Sequence, residues 1–120
     1  MSFWRSVYFA IKGVGYVLQK ERNARIHLGV AVITLMAGVF LGVSGSEMAA
    51  IFFAVIIVFL AEIFNTSLEK TLDIIEPNHH PQVAIIKDMV AGGVLVAAVG
   101  AAIIGVVIFA PYILGLVWNR

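Results

Sequence analysis

The longest uncharged run of the sequence extends over about thirty positions, from Met89 to Trp118. A membrane-spanning helix needs about 20 apolar residues to cross ~30 Å of hydrocarbon, so this run is more than long enough. Two further runs precede it, "IHLGVAVITLMAGVFLGVSGS" and "MAAIFFAVIIVFLA". Only 12% of the 120 residues are charged, whereas soluble domains carry about 25%. The sequence therefore predicts an integral membrane protein.

We predict an all-α fold in a single membrane-embedded domain, residues 1–120. The first segment combines aromatic and apolar residues at helical spacing with basic residues on another face. This pattern is typical of an amphipathic helix lying along the membrane interface, and it also suits a helix packed on the others. Pro111 is expected to kink or end the last helix, and "VSGSE" predicts a tight turn. The predicted bounds are 1–24 for the interfacial helix and 26–46, 48–72 and 88–118 for three transmembrane helices.

The distribution of basic residues predicts the orientation in the membrane. The turn near Ser46 carries no basic residue, and the far end of the chain has only Arg120. Basic residues instead gather before the first span and around the loop between the second and third spans: Arg5, Lys12, Lys20, Arg22, Arg25, Lys70 and Lys87. By the positive-inside rule, the amino terminus and the "EPNHHPQ" loop of this multi-pass protein are cytosolic.

Other features of the composition exclude several kinds of protein. The net charge of +1 is too small to indicate a nucleic-acid partner, and the absence of cysteine excludes disulfides, thiolate metal sites and cysteine nucleophiles. "MSFWRSVYFAIKG" shows no signal-peptide cleavage site. His79 and His80 are adjacent and point in different directions, so a solvated loop is favoured over a metal site.

Small residues recur at every fourth position of the last span. Such rows allow helices to approach closely in lipid, where dispersion drives their association. The row therefore predicts a homo-oligomer. Its members are Gly93, Ala97, Ala101 and Gly105, with Gly38 and Gly42 as a shorter example in the first span.

A stripe of carboxylates follows the second apolar run in "AEIFNTSLEKTLDIIE". At about 100° per residue, one helix face carries Glu62, Asn65, Glu69, Asp73 and Glu76, with Thr66 at its edge. Carboxylates that face one another repel, and Mg²⁺ between carboxylates and phosphate oxygens would offset that charge. Asp73 and Glu76 could instead be simply solvated. Glu62 lies close to the hydrocarbon boundary, where an ionisable residue is a candidate functional group.

Two further polar clusters are expected at the same cytosolic level. "QKERNARIH" contains Glu21 and Arg25, which could form an ion pair one helical turn apart. "IIKDMVAGG" contains Lys87 and Asp88, which could pair with each other at the membrane boundary. The three clusters together supply carboxylates, an asparagine, a lysine and arginines, a mixture suited to a metal-bound polyphosphate.

These motifs resemble a known family. "E-x-x-N-T-S-x-E-x-x-L-D" from Glu62 to Asp73, the following "HP" and "KDMVAGGVLV" are similar to the signature of the bacterial diacylglycerol kinase and undecaprenol kinase family. "ERNARIH" resembles the element that precedes the first span, particularly in its undecaprenol-kinase-like branch. The resemblance covers nearly the whole chain.

The resemblance implies a homotrimeric inner-membrane enzyme with active sites shared between neighbouring subunits. Such an enzyme transfers the γ-phosphate of MgATP to the hydroxyl of a membrane lipid, with undecaprenol favoured here and diacylglycerol a close second. By the same resemblance, Glu62 would be the catalytic base, and Glu21 and Glu69 would bind Mg²⁺. The nucleotide and substrate site would be lined by Asn65, Asp73, Lys87 and Asp88.

Physical chemistry is compatible with these roles. A carboxylate at the hydrocarbon boundary is partly desolvated, which makes it a stronger base for the proton of an alcohol. Glu69 lies two turns further into the aqueous layer and can bind metal, while Lys87 can neutralise charge on phosphate oxygens. The sequence contains no G-x-x-x-x-G-K-[ST] loop, so phosphates would be held by metal and side chains.

Two other functions remain open at the level of the sequence. A small oligomeric ion conductor could use the acidic stripe as an ion path, but no ionisable residue lies between His27 and Glu47 or between Asp88 and Arg120. An ion path needs polar stations in the middle of the membrane. A scaffold subunit would leave Glu62 and Asn65 unexplained.

Overall fold

The computed structural model of the chain describes residues 2–118, which form four helices in sequence order. Three of them are long and apolar enough to cross a membrane, which confirms the predicted all-helical fold and its three spans. Interfacial placement of the first helix and the homotrimer stay predictions, and Arg120 lies outside the described residues. The helices are α1 (Phe3–Lys20), α2 (Arg22–Leu41), α3 (Gly45–Ile75) and α4 (Pro81–Trp118).

Glu21 interrupts the chain between α1 and α2. Its backbone is extended, at φ −105° and ψ 113°. Arg25 then donates from Nη1 to the carbonyl oxygens of Leu18 and Gln19, at 2.9 Å each. These carbonyls belong to the last turn of α1, where helical partners are lacking and a cation is favoured. Arg25 therefore ends α1 and makes no ion pair with Glu21, an alternative that the sequence had left open.

The predicted tight turn joins α2 to α3. Gly42 has a left-handed backbone (φ 70°), which only glycine adopts without strain, and the Val43 amide donates to the Gly38 carbonyl at 3.1 Å. Ser44 caps α3 by accepting from the Glu47 amide at 3.2 Å. Because Tyr112 of α4 donates to Glu47 Oε1 at 3.0 Å, the end of α4 is connected to the start of α3.

α4 is longer than predicted at its amino-terminal end. It begins at Pro81, seven residues before the expected start, since proline suits the first helical turn and the His80 Nδ1 atom accepts from the Gln82 amide at 3.1 Å. It also continues through Pro111 to Trp118, so the prediction that Pro111 might end it is wrong. At 1.5 Å per residue, its 38 residues correspond to about 57 Å, more than a bilayer core requires.

Apart from Val17 of α1, the buried residues of the described chain form a narrow seam between α2 and α3. α2 contributes only small residues to it, seven positions apart, which allow the two helices to approach closely. At Gly38, an added Cβ would lie 2.8 Å from Cε of Met48. α4 buries no residue within the described chain. The seam residues are Ala24, Ala31 and Gly38 of α2 and Ile51, Ala54, Val58, Glu62 and Thr66 of α3.

The small-residue row of α4 does not pack within one chain. An added Cβ at Gly93 or Gly105 would meet no other atom within 4 Å. Gly42 serves as the cap of α2 and not as a packing position. Oligomer formation through the α4 row therefore stays a prediction, while Gly38 does mark a close helix contact.

We expect Ala24→Leu to destabilise the protein by about 1–3 kcal/mol, because extra methylenes must fit into the closed part of the α2–α3 seam. Ala24 is 0% exposed. Thermal unfolding in detergent would measure the change. The control is Ile33→Leu, which conserves volume at an exposed position of the same helix and should unfold like the parent. Equal stability of both variants would contradict the seam.

Candidate active site at the polar end of the α2–α3 seam

Glu62 is a carboxylate in an otherwise apolar seam. It is 2% exposed and follows Ile51, Ala54 and Val58 at spacings of three or four residues, so α3 carries it to the same face. Its Oε1 lies 3.1 Å from Nε2 of His27 on α2. This distance is that of an ion pair, but the ring N–H is not aligned with Oε1, which accepts no hydrogen bond among the described residues. A buried ionisable side chain next to a single ionisable partner is a candidate functional residue.

The charges around Glu62 are mainly negative. Among the described residues, Glu21 at the α1–α2 junction and Glu69 of α3 add negative charge, and His27 is the group whose charge opposes it. Both glutamates are half-buried. The site therefore favours a cation, since three carboxylates against one histidine leave negative charge uncompensated.

Two neighbours of Glu62 on α3 also carry unpaired acceptors. Asn65 Oδ1 and Thr66 Oγ1 are buried and have no hydrogen-bond partner among the described residues. Buried polar atoms are nearly always paired, so three unpaired ones within a single helical turn are unusual. Because positions i, i+3 and i+4 share a helix face, these side chains define one polar patch. Thr66 was placed only at the edge of this face by sequence reasoning.

An ion pair between Asp73 and Lys87 connects the end of α3 to the start of α4. Lys87 Nζ lies 2.6 Å from Asp73 Oδ1. The Lys87–Asp88 pair considered from the sequence is therefore not the one formed, and Asp88 is exposed. Glu76 follows the end of α3 at Ile75 and has a non-helical backbone, so it does not continue the carboxylate stripe. The structure thus extends the stripe from Glu62 to Asp73 only.

A contact between α1 and α3 was missed by sequence reasoning. Lys70 Nζ donates to the Tyr16 hydroxyl and lies 4.5 Å from the centre of the Tyr16 ring. Gly13 and Thr66 line a pocket of about 280 Å³ beside this pair. Tyr16 and Lys70 are 54 positions apart, so no local spacing in the sequence could have linked them.

An apolar groove of about 950 Å³ lies between α2, α3 and α4. His27 and Thr34 are the polar residues of its lining, and Thr34 already donates to the Val30 carbonyl at 2.7 Å. The groove therefore offers an apolar surface that includes the imidazole next to Glu62. Such a surface suits hydrocarbon chains.

The residues described here offer a cation fewer ligands than a closed metal site would. Within residues 2–118, no three histidine, aspartate or glutamate side chains are grouped closely enough to hold a metal ion. Mg²⁺, however, is commonly bound by one or two carboxylates together with phosphate oxygens. Glu21 and Glu69, whose charges both act on Glu62, fit that smaller donor set.

Fold and site together define a small helical membrane protein with a buried carboxylate beside an apolar groove. The sequence model of the family described as "Prokaryotic diacylglycerol kinase" matches residues 8–109. The chain belongs to this family, which confirms the resemblance seen in its motifs. It is thus an enzyme, a phosphotransferase with an alcohol group as acceptor.

Two curated proteins are similar to the chain over most of its length. One, from Bacillus subtilis (strain 168), is named "Undecaprenol kinase"; it is 37% identical over 109 residues, which cover 91% of this chain and 89% of that protein. The other, from Synechocystis sp. (strain ATCC 27184 / PCC 6803 / Kazusa), is named "Diacylglycerol kinase"; it is 37% identical over 114 residues. That match covers 92% of this chain and 64% of the cyanobacterial protein.

Proposed function

We propose that the protein transfers the γ-phosphate of ATP to the hydroxyl of a membrane lipid alcohol, at the cytosolic surface of the bacterial inner membrane. The observation that carries the proposal is the burial of Glu62 at the polar end of an apolar seam, with Asn65 and Thr66 beside it. A site of this kind brings together a base, polar ligands for a nucleotide and a surface for hydrocarbon.

Glu62 is the general base in this proposal. The lipid oxygen forms a bond to the γ-phosphorus, the bond between that phosphorus and the bridging oxygen of ADP breaks, and the hydroxyl proton passes to the Glu62 carboxylate. Removal from water makes a carboxylate a stronger base, and a positioned base contributes about 10²–10⁴-fold to such reactions. Asn65, at the next position of the same face, orients the substrate with its amide.

Positive charge for the phosphates comes from the start of α4. Lys87 is half-buried and held by Asp73, so its ammonium is positioned before the nucleotide binds. Transfer leaves negative charge on the ADP oxygens, which a fixed cation stabilises. Asp73 and Asp88 line the nucleotide side of the site.

Glu21 and Glu69 are the residues that would hold Mg²⁺. When bound, the ion would neutralise charge on the phosphate oxygens. The two carboxylates belong to different elements, the α1–α2 junction and α3. With Mg²⁺ held by Glu21 and Glu69, Glu62 remains for the lipid hydroxyl.

The lipid acceptor is undecaprenol in our proposal, with diacylglycerol as the close alternative. The match with this chain covers 89% of the Bacillus subtilis undecaprenol kinase. The corresponding match covers 64% of the cyanobacterial diacylglycerol kinase. The groove between α2, α3 and α4 is long and apolar, as an acyl or prenyl chain requires. A homotrimer with shared active sites belongs to this proposal, because it would cover exposed faces of α4. A cytosolic amino terminus also belongs to it, because basic residues gather before the first span.

The proposal is tested by phosphate transfer from labelled ATP with purified protein in lipid micelles. We expect transfer only when a lipid alcohol is present, faster transfer to undecaprenol than to diacylglycerol, and loss of both on chelation of Mg²⁺. ATP consumption without any lipid alcohol, or no transfer to either acceptor, would contradict the proposed function. The reverse order of acceptors would contradict only the choice of lipid.

A further inference from the structure

We propose that His27 is the positioning residue for Glu62: its imidazole, 3.1 Å from one carboxylate oxygen, holds that oxygen in place and leaves the other oxygen for the lipid hydroxyl. This inference rests on the proposed function of Glu62. His27 ends the "ERNARIH" motif, but the roles proposed above do not include one for it.

The contact itself is the first argument. His27 Nε2 lies 3.1 Å from Glu62 Oε1, across the α2–α3 seam. α2 and α3 are held at close range here by Ala24 and Ala31, whose small side chains flank His27 in the helix and are both buried. The imidazole therefore cannot move far from the carboxylate without opening the seam.

The second argument is electrostatic. Ionisation of Glu62 is opposed by its burial and by the charges of Glu21 and Glu69. His27 is the described group that favours the ionised form, and α1 and α4 supply no charged side chain that acts on Glu62 among residues 2–118. A buried carboxylate without a compensating charge takes up a proton and can no longer act as a base.

The third argument is the accessibility of the two partners. The side chain of His27 is 27% exposed, whereas that of Glu62 is 3% exposed. His27 also lines the apolar groove. The imidazole can therefore exchange protons with water while the carboxylate stays shielded. Glu62 can then return to its ionised form through its partner after each turnover: the imidazolium first releases its proton to water, and the neutral imidazole then takes the proton of the carboxylic acid.

The test is the pH profile of kcat for His27→Gln, a variant of similar size that is never charged. Activity requires ionised Glu62 and so falls as the pH is lowered. The charge of His27 favours the ionised form of Glu62, so without it the acidic limb of the profile should move to higher pH. His79→Gln makes the same change in the exposed loop and should reproduce the parent profile.

Chemical rescue separates positioning from folding. In His27→Ala, added imidazole should restore part of the lost kcat, while pyrazole, a ring of the same size that stays neutral, should not. A lower kcat with an unmoved acidic limb and no rescue would assign His27 a merely structural role and overturn the inference. An unchanged kcat would overturn it as well.

These outcomes are distinct from a failure of the proposed function. If parent protein transfers phosphate to lipid and Glu62→Gln does not, the function stands whatever His27 does. If Glu62→Gln retains full turnover, the role proposed for Glu62 is wrong, and the inference about His27 is overturned with it.

Discussion

Glu62→Gln should lower kcat by about two to four orders of magnitude, the usual contribution of a positioned base. Glutamine keeps the shape of the side chain but cannot accept the hydroxyl proton. The KM of this variant for ATP should stay close to that of the parent, because Lys87, proposed to contact the phosphates, and Asp73, which holds it, are untouched. Initial rates over a range of ATP and lipid concentrations would measure both constants.

The fold should survive this change. Glu62 is a buried charge near Glu21 and Glu69, and replacing a buried charge by a neutral isostere removes repulsion and a desolvation cost. The same change removes the contact with His27, which offsets part of this gain, so we expect the thermal stability to stay close to that of the parent. The control is Glu76→Gln, the same chemical change just beyond the end of α3, which should retain full activity. Full turnover by Glu62→Gln would eliminate the proposed base.

Lys87→Met should reduce kcat/KM for ATP by about 10²–10³-fold, as the loss of one fixed stabilising donor does in other transfer sites. The effect on stability should be much smaller. The Lys87 and Asp73 side chains are 35% and 64% exposed, and pairs this open contribute about 0.2–1 kcal/mol. A large kinetic loss with a small change in unfolding temperature therefore indicates a functional lysine.

Lys12→Met provides the comparison for Lys87→Met. Lys12 is exposed on α1, so its replacement removes one positive charge without touching the site. Its kinetic constants should match those of the parent at physiological ionic strength, where distant surface charges are screened. If both lysine variants lose activity equally, the effect belongs to net charge and not to the position of Lys87.

The sequence predicted the membrane fold well because its signal is strong and local. Each span is a long apolar run that needs no partner to be recognised, and a turn with Gly42 and Ser44 separates the first two. The errors occurred at helix ends. The sequence left open whether Pro111 kinks or ends α4, and the helix continues through it, because a membrane helix tolerates proline when neighbouring groups satisfy the freed backbone. Pro81 starts α4 for the opposite reason, as a residue suited to a first turn.

Prediction of the candidate site was less complete. Helical periodicity was sufficient to align Glu62 with Asn65 and Glu69, because these residues share one helix. It over-extended the stripe to Glu76, since periodicity alone does not show where a helix stops. The local pairs considered for Arg25 and Lys87 were replaced by partners from other turns and other helices.

The sequence by itself determined that this chain lies in a membrane, how many times its helices can cross it and which face of α3 is acidic. These properties follow from the order of residues along single helices. Only the tertiary structure decided that Glu62 is buried against His27 and that Lys70 contacts Tyr16. The reason is physical: small residues on α2 bring two distant segments together, and no spacing within one helix encodes which side chains then meet.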